Sequence, residues 1–166
     1  MNAAPRFLSP SRRRPFALLF VAFLLAIGPA GPEANAQRAP SNTGAKGEDD
    51  YRYGLQAARR GEHKAAIRYF KRAEKAGGLK GRRAVALFVN RGLVWHFMGK
   101  YKKAVADYDT ALKLFPGNPI ALNNRGWARE KLGQKQAAIR DYRAALKINP
   151  KMQRTRDNLK RLGVKP

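Results

Sequence analysis

A chain of 166 residues has room for one domain, and its 35 lysines and arginines against 11 acidic residues give a net charge of +24. So strong a positive balance points to anionic partners or surfaces and says nothing of the fold. Cysteine is absent, which excludes disulfide staples, thiolate metal sites and a lipoprotein anchor, so stability must come from an apolar core.

At the N-terminus, Arg6 and Arg12 to Arg14 form a positive head before FALLFVAFLLAI, residues 16–27. GPAGP and Ala34-Asn35-Ala36 follow. Positive head, short apolar run and A-x-A tail are the parts of a secretory signal peptide. A membrane span needs about 20 apolar residues, and this run is shorter. Residues 1–36 are therefore expected to be a signal peptide cleaved after Ala36, with export to a bacterial periplasm. The remaining chain would carry 31 basic and 10 acidic side chains, net +21. Residues 37–47, QRAPSNTGAKG, lack large apolar side chains and read as a flexible tether. The acidic run Glu48-Asp49-Asp50 is expected at the start of the first helix, where it suits the helix dipole.

From there the chain repeats itself. Gly54, Gly61, Ala66, Phe70 and Ala73 return as Gly92, Gly99, Ala104, Tyr108 and Ala111, then as Gly126, Gly133, Ala138, Tyr142 and Ala145. Between residues 90–116 and 124–150, eleven of 27 positions are identical at an offset of 34. Leu87, Phe88, Val94, Trp95 and Met98 recur at three- and four-residue spacings, which predicts a helix over 85–98. Gly99 can take the positive φ that ends it. Tyr101, Ala104, Val105, Tyr108, Ala111 and Leu112 make the apolar stripe of a second helix over 101–115, stopped by Pro116. Asn118 and Pro119 then supply an N-cap and a first-turn proline. Gly92 and Ala104 are expected where the two antiparallel helices cross closely. The first copy departs from the others, with four residues inserted in GGLKGRRA, 77–84, and Gly78 in place of the closing proline. Residues 152–162 predict a short terminal helix with Met152, Leu159 and Leu162 as contacts and Gly163 behind it.

A 34-residue period with small residue, glycine turn, alanine, aromatic, alanine and proline in these places resembles the tetratricopeptide repeat (TPR). The resemblance implies an all-α fold, a right-handed superhelical stack of antiparallel helix pairs. About three units are expected, a degenerate first at 48–84, then 85–118 and 119–150, with a capping helix and tail at 151–166. It also implies a concave groove lined by the first helix of each unit, in which a protein or peptide segment lies. Carried onto this chain, the groove positions are Tyr51, Leu55 and Ala58; Ala86, Val89, Asn90, Leu93 and His96; and Ile120, Asn123, Asn124, Trp127 and Glu130. Trp95 falls on the family's core aromatic position and Trp127 on a groove-facing one, where tryptophan is a frequent interface anchor. The chaperone-binding members hold a C-terminal carboxylate with lysines, asparagines and an arginine. The matching places here are Tyr51, Leu55, Asn90, Ile120 and Asn124, of which only Asn90 fits, so the resemblance does not extend to that role.

Chemistry finds little purchase. Beyond residue 36 the chain has one serine, Ser41, and two histidines, His63 and His96, in no catalytic or metal-ligand spacing. No catalytic residue, metal site or cofactor is expected. The reading is a non-catalytic periplasmic adaptor that binds a protein segment in its groove. Basic runs such as Lys71-Arg72, Arg82-Arg83, Lys100-Lys102-Lys103 and Arg154-Arg156-Lys160-Arg161 would favour acidic segments or the phosphates of envelope lipids. A rival is nucleic-acid binding by the same basic surface, against which stand the export segment and the lack of any nucleic-acid-reading motif. A weaker option is attachment to an anionic membrane through residues 151–166.

Overall fold

The structure is a computed structural model that describes residues 43–166. The expected signal peptide and the first part of the expected tether lie outside the described residues. Helices α1 (Thr43–Arg59) and α2 (His63–Ala76), α3 (Arg82–Phe97) and α4 (Tyr101–Leu114), and α5 (Pro119–Lys131) and α6 (Lys135–Ile148) form three antiparallel hairpins. A shorter helix, α7 (Gln153–Arg161), closes the stack on α6. This is the all-α, superhelical arrangement that the repeat implies.

Each hairpin is held by one recurring contact. The Tyr108 ring lies so close to Gly92 that a Cβ there would sit 2.7 Å from it, and Tyr142 stands over Gly126 in the same way, at 2.9 Å. Phe70 covers Gly54 in the first hairpin, at 2.6 Å. These three aromatic rings are fully buried, as are Ala66, Ala104 and Ala138 on the same helices. Glycine facing a ring and alanine one turn before it let two helices approach to a distance no larger pair would allow. Gly99 and Gly133 end their helices with φ of 69° and 75°, the left-handed conformation that favours glycine. The Asn118 side chain caps α5 by accepting from the Ala121 backbone N–H at 2.9 Å, with Pro119 in the first turn.

Two sequence expectations are corrected at the N-terminal end. Helix α1 begins at Thr43, so residues 43–47 of the expected tether are helical. The segment docks because it is small: a Cβ on Gly47 would lie 2.2 Å from the Gly77 carbonyl oxygen. A search for large apolar side chains overlooks a contact made backbone to backbone. The acidic run 48–50 consequently sits past the first turn, away from the helix start. It forms ion pairs instead, Glu48 with Arg83 on α3, Asp49 with Arg52, and buried Asp50 with Arg72 on α2 at 3.0 Å. Burial pushes the Asp50 carboxyl above its ordinary range, against the pull of Arg72 and Lys46. Helix α3 also starts earlier than periodicity suggested, at Arg82 rather than residue 85, because Gly81 turns the chain at φ 53° and the inserted link is correspondingly short.

Successive first helices touch, α1 with α3 and α3 with α5, more than successive second helices do. The first helices therefore line the inside of the curve, and α2, α4 and α6 form its outside.

Candidate functional site

The inner face presents a strip of uncharged side chains. Leu55 and Ala58 on α1, Ala86, Val89 and Leu93 on α3, and Trp127 on α5 are all half-buried, and all but Leu93 pack against the buried core clusters. At one end the strip deepens into a cleft of about 720 Å³ between α3, the end of α4 and the start of α5. Val85, Ala86, Val89, Phe115 and Ile120 give it apolar walls, and Asn90 and Arg82 add polar groups. Ile120 is among the most exposed apolar side chains described, at 56%.

Not every groove position predicted from sequence opens onto the strip. Tyr51 is buried, its ring near Phe70, and its hydroxyl accepts from the Asn90 amide at 3.0 Å. That bond joins α1 to α3 and occupies the one residue that matched the carboxylate-holding pattern. Asn123 donates to Asn124 at 3.1 Å and accepts from the Thr155 hydroxyl at 2.9 Å, tying α5 to the capping helix. Glu130 is bonded to Tyr142 and Arg161. Burial pushes its carboxyl up, but those two donors outweigh burial and hold it below its ordinary value. The asparagines and Glu130 thus serve the stack's own joints.

His96 is the clearest departure. It is 5% exposed, not open to a partner, and lies against the Trp127 ring with centroids 3.7 Å apart and edge-on to Tyr101 and Phe97. Its Nδ1 is buried without a hydrogen-bond partner. Burial first, then the Lys131 charge, lowers its pKa below that of an ordinary histidine. Trp127 therefore has one face on His96 and α3, and the rest of its half-buried ring remains on the inner surface. Trp95, expected in the core, is half-buried between two core clusters, with the Lys103 ammonium 4.8 Å above its ring. Among the described residues, no three His, Cys, Asp or Glu side chains are grouped to hold a metal ion.

Sequence reading missed a pair of charged joints. Arg91 on α3 donates from Nε and Nη2 to both Asp107 oxygens on α4, at 2.9 and 2.7 Å, and reaches back to Glu74 on α2. Arg125 on α5 repeats the arrangement, with Asp141 on α6 at 3.0 and 2.6 Å and Asp109 on α4 at 2.7 Å. Each arginine thus clamps its own hairpin and ties it to the preceding one. The signal was present in the sequence: all four residues recur at the repeat offset, with opposite charges 16 residues apart in each copy.

Comparison with known proteins agrees with this geometry. The family model described as tetratricopeptide repeat matches residues 97–152, from the end of α3 to the start of α7. The TPR domain of Arabidopsis OM64 superposes with a TM-score of 0.68 at 24% identity, covering 74% of this chain and 98% of that one. The first TPR of Spaghetti (RPAP3) bound to the HSP90 peptide SRMEEVD gives 0.67 at 22% identity, covering 72% and 92%. The second TPR domain of human RPAP3, solved in complex with the HSP70 peptide SGPTIEEVD, gives 0.63 at 24%, covering 81% and 100%. No curated protein sequence matches the chain.

Proposed function

We propose that this chain is a tetratricopeptide-repeat protein acting as a non-catalytic adaptor that binds a segment of another protein along the inner face of its helix stack. The family model over residues 97–152 and the fold shared with solved TPR domains support this. One observation carries this reading: an uncharged, half-open strip from Leu55 through Leu93 to Trp127 leads into the cleft walled by Val89, Phe115 and Ile120. Such a surface suits apolar side chains of a bound segment, with Asn90 and Arg82 at hand for its polar groups. Two similar TPR domains were solved with peptides bound, which supports a peptide as the occupant. The detail differs, since Asn90 is already bonded to Tyr51 and lysines are absent from the carboxylate-holding places. An internal segment therefore fits this groove better than a free C-terminus, and the surrounding positive charge favours an acidic one. Residues 1–36 support export and cleavage before Gln37, which puts the adaptor and its partner in the periplasm.

The test is selection of binders to the full chain from a displayed peptide library. Val89→Arg and Leu93→Arg should abolish binding of the recovered peptides, and Trp127→Ala should weaken it by about 2 kcal/mol or more. Lys135→Gln, on the outer face, should leave it unchanged. Peptides that tolerate both arginine variants would overturn the groove reading. Intact mass of the chain recovered from each compartment of a secreting bacterium checks the location.

A further inference from the structure

The second helices carry many cations, and their carboxylates all face other work. Glu74 and Asp107 are held by Arg91, and Asp109 and Asp141 by Arg125, each time a guanidinium from a first helix. The lysines of these helices are left uncompensated by any acid of their own helix. Three of them, Lys75, Lys113 and Lys147, occupy the same place in successive repeats, the last turn of α2, α4 and α6, and all three are exposed. They form a row along one edge of the stack.

That edge also carries bare apolar side chains. Leu114 follows Lys113 and is 53% exposed; Phe115 beside it is 53% exposed; Ile148 follows Lys147 and is 46% exposed. With Ile120, also at this end, they are four of the five large apolar residues that the described chain leaves open. A lysine in the last turn suits the helix dipole, which accounts for the cations but not for apolar tips set between them. Nucleic-acid phosphates would satisfy the lysines and leave the apolar groups in water. An anionic bilayer satisfies both, offering phosphates to ammonium groups and an acyl boundary a few ångströms deeper to leucine, isoleucine and phenylalanine.

We infer that the edge formed by Lys75, Lys113 and Lys147 with Leu114, Phe115 and Ile148 docks on an anionic lipid surface. Leu114 and Phe115 also line the cleft at one end of the groove, so a docked chain turns that cleft to the lipid and leaves the strip from Leu55 to Trp127 for a partner. This edge is distinct from the terminal helix, which the sequence offers as a weaker option for membrane attachment.

The absence of cysteine makes a site-specific test direct. The full chain carrying Phe115→Cys is labelled with an apolar, environment-sensitive fluorophore and mixed with phosphatidylcholine vesicles, with or without phosphatidylglycerol. A control carries the dye at Gln136→Cys, exposed in the first turn of α6 at the other end of that helix. The dye at 115 should shift to the blue on the anionic vesicles alone, and the dye at 136 should not. Lys75→Gln, Lys113→Gln and Lys147→Gln together should weaken that response roughly 100-fold, with helicity by circular dichroism unchanged. An equal shift on neutral vesicles would mean that the apolar run at 16–27 delivers the chain, and would overturn the inference. So would a shift at 136, a shift that survives loss of the three lysines, or an equal shift on a DNA duplex.

Discussion

Arg91→Met tests whether the charged joints hold the stack. Methionine keeps the length of the side chain and its apolar contact, since the guanidinium lies 5.2 Å from the centre of the Phe88 ring. It removes both bonds to Asp107. The Arg91 and Asp107 side chains are each 9% exposed, so the carboxylate left behind has no solvent to turn to. Removing one partner of a buried pair costs about 3–5 kcal/mol, mostly the penalty of the uncompensated charge. Glu74 is 45% exposed and adds little to this. The cost should appear in urea unfolding followed by circular dichroism at pH 7.

The same variant has a defined pH dependence. Burial already pushes the Asp107 carboxyl above its ordinary value in spite of Arg91, and without Arg91 it rises further. A carboxyl raised in the fold is stabilised by protons, so the deficit is full at neutral pH and shrinks as pH falls through the raised value. Arg91→Met with Asp107→Leu removes both charges and should recover most of the loss, because a well-packed apolar pair replaces a buried ionic one at little cost. Arg125→Met should cost less, since Arg125 is 18% exposed and Arg129 also reaches Asp141 at 2.8 Å. A loss below about 1 kcal/mol, the value of an exposed pair, would refute the reasoning. A double variant less stable than the single one would refute it equally.

Gly92→Ala places a methyl 2.7 Å from the Tyr108 ring and should destabilise by about 1–3 kcal/mol through overpacking, although alanine is the better helix former; thermal unfolding of this variant beside Tyr108→Leu/Gly92→Ala checks the cause, because the smaller partner should restore part of the loss. For His96, a pKa lowered by burial and by Lys131 means that the unfolded chain takes up the proton first. Its contribution to stability is therefore present above the ordinary histidine value, about 6.5, and lost as pH falls through and below it. Urea midpoints between pH 7.5 and 5 should show that loss in the natural chain and not in His96→Phe; an identical slope in both would exclude His96 as its source.

The fold was legible because its central contact demands particular residues. A ring that lies on a helix backbone tolerates only glycine beneath it, so Gly54, Gly92 and Gly126 and their aromatic partners stand out at fixed spacing even where the rest has drifted. The groove was legible only in outline. Leu55, Val89, Leu93 and Trp127 stand half-buried on first helices, but no periodicity reveals that Tyr51 and Asn90 are bonded to each other or that His96 is closed in by Trp127. Those facts depend on what stands across the interface, and a single sequence states only one side of it. Helix α1 was missed at its start for the opposite reason, since Gly47 docks by lacking a side chain.

Charged positions proved the most informative part that pattern reading passed over, and their behaviour at the ends of the stack shows why. In the two inner joints an arginine at one repeat position reaches an aspartate on its own hairpin and an acid on the hairpin before it. Among the described residues the first hairpin has no predecessor. At the equivalent positions it carries Tyr53 and Tyr69, whose rings pack against each other with centroids 5.6 Å apart. An arginine there would have only one partner to offset its desolvation, whereas an aromatic pair needs none. At the other end the same repeat position, 34 residues after Arg125, is Leu159 on the capping helix, fully buried against the last hairpin. Among the described residues no second helix follows it to supply an aspartate. At this one repeat position the described chain therefore places an arginine only where carboxylates stand on both sides, and an apolar or aromatic side chain in the first hairpin and the capping helix. The departures from the repeat in the first hairpin and in α7 are thus the form that the same joint takes where a neighbouring hairpin is missing from one side of the described stack.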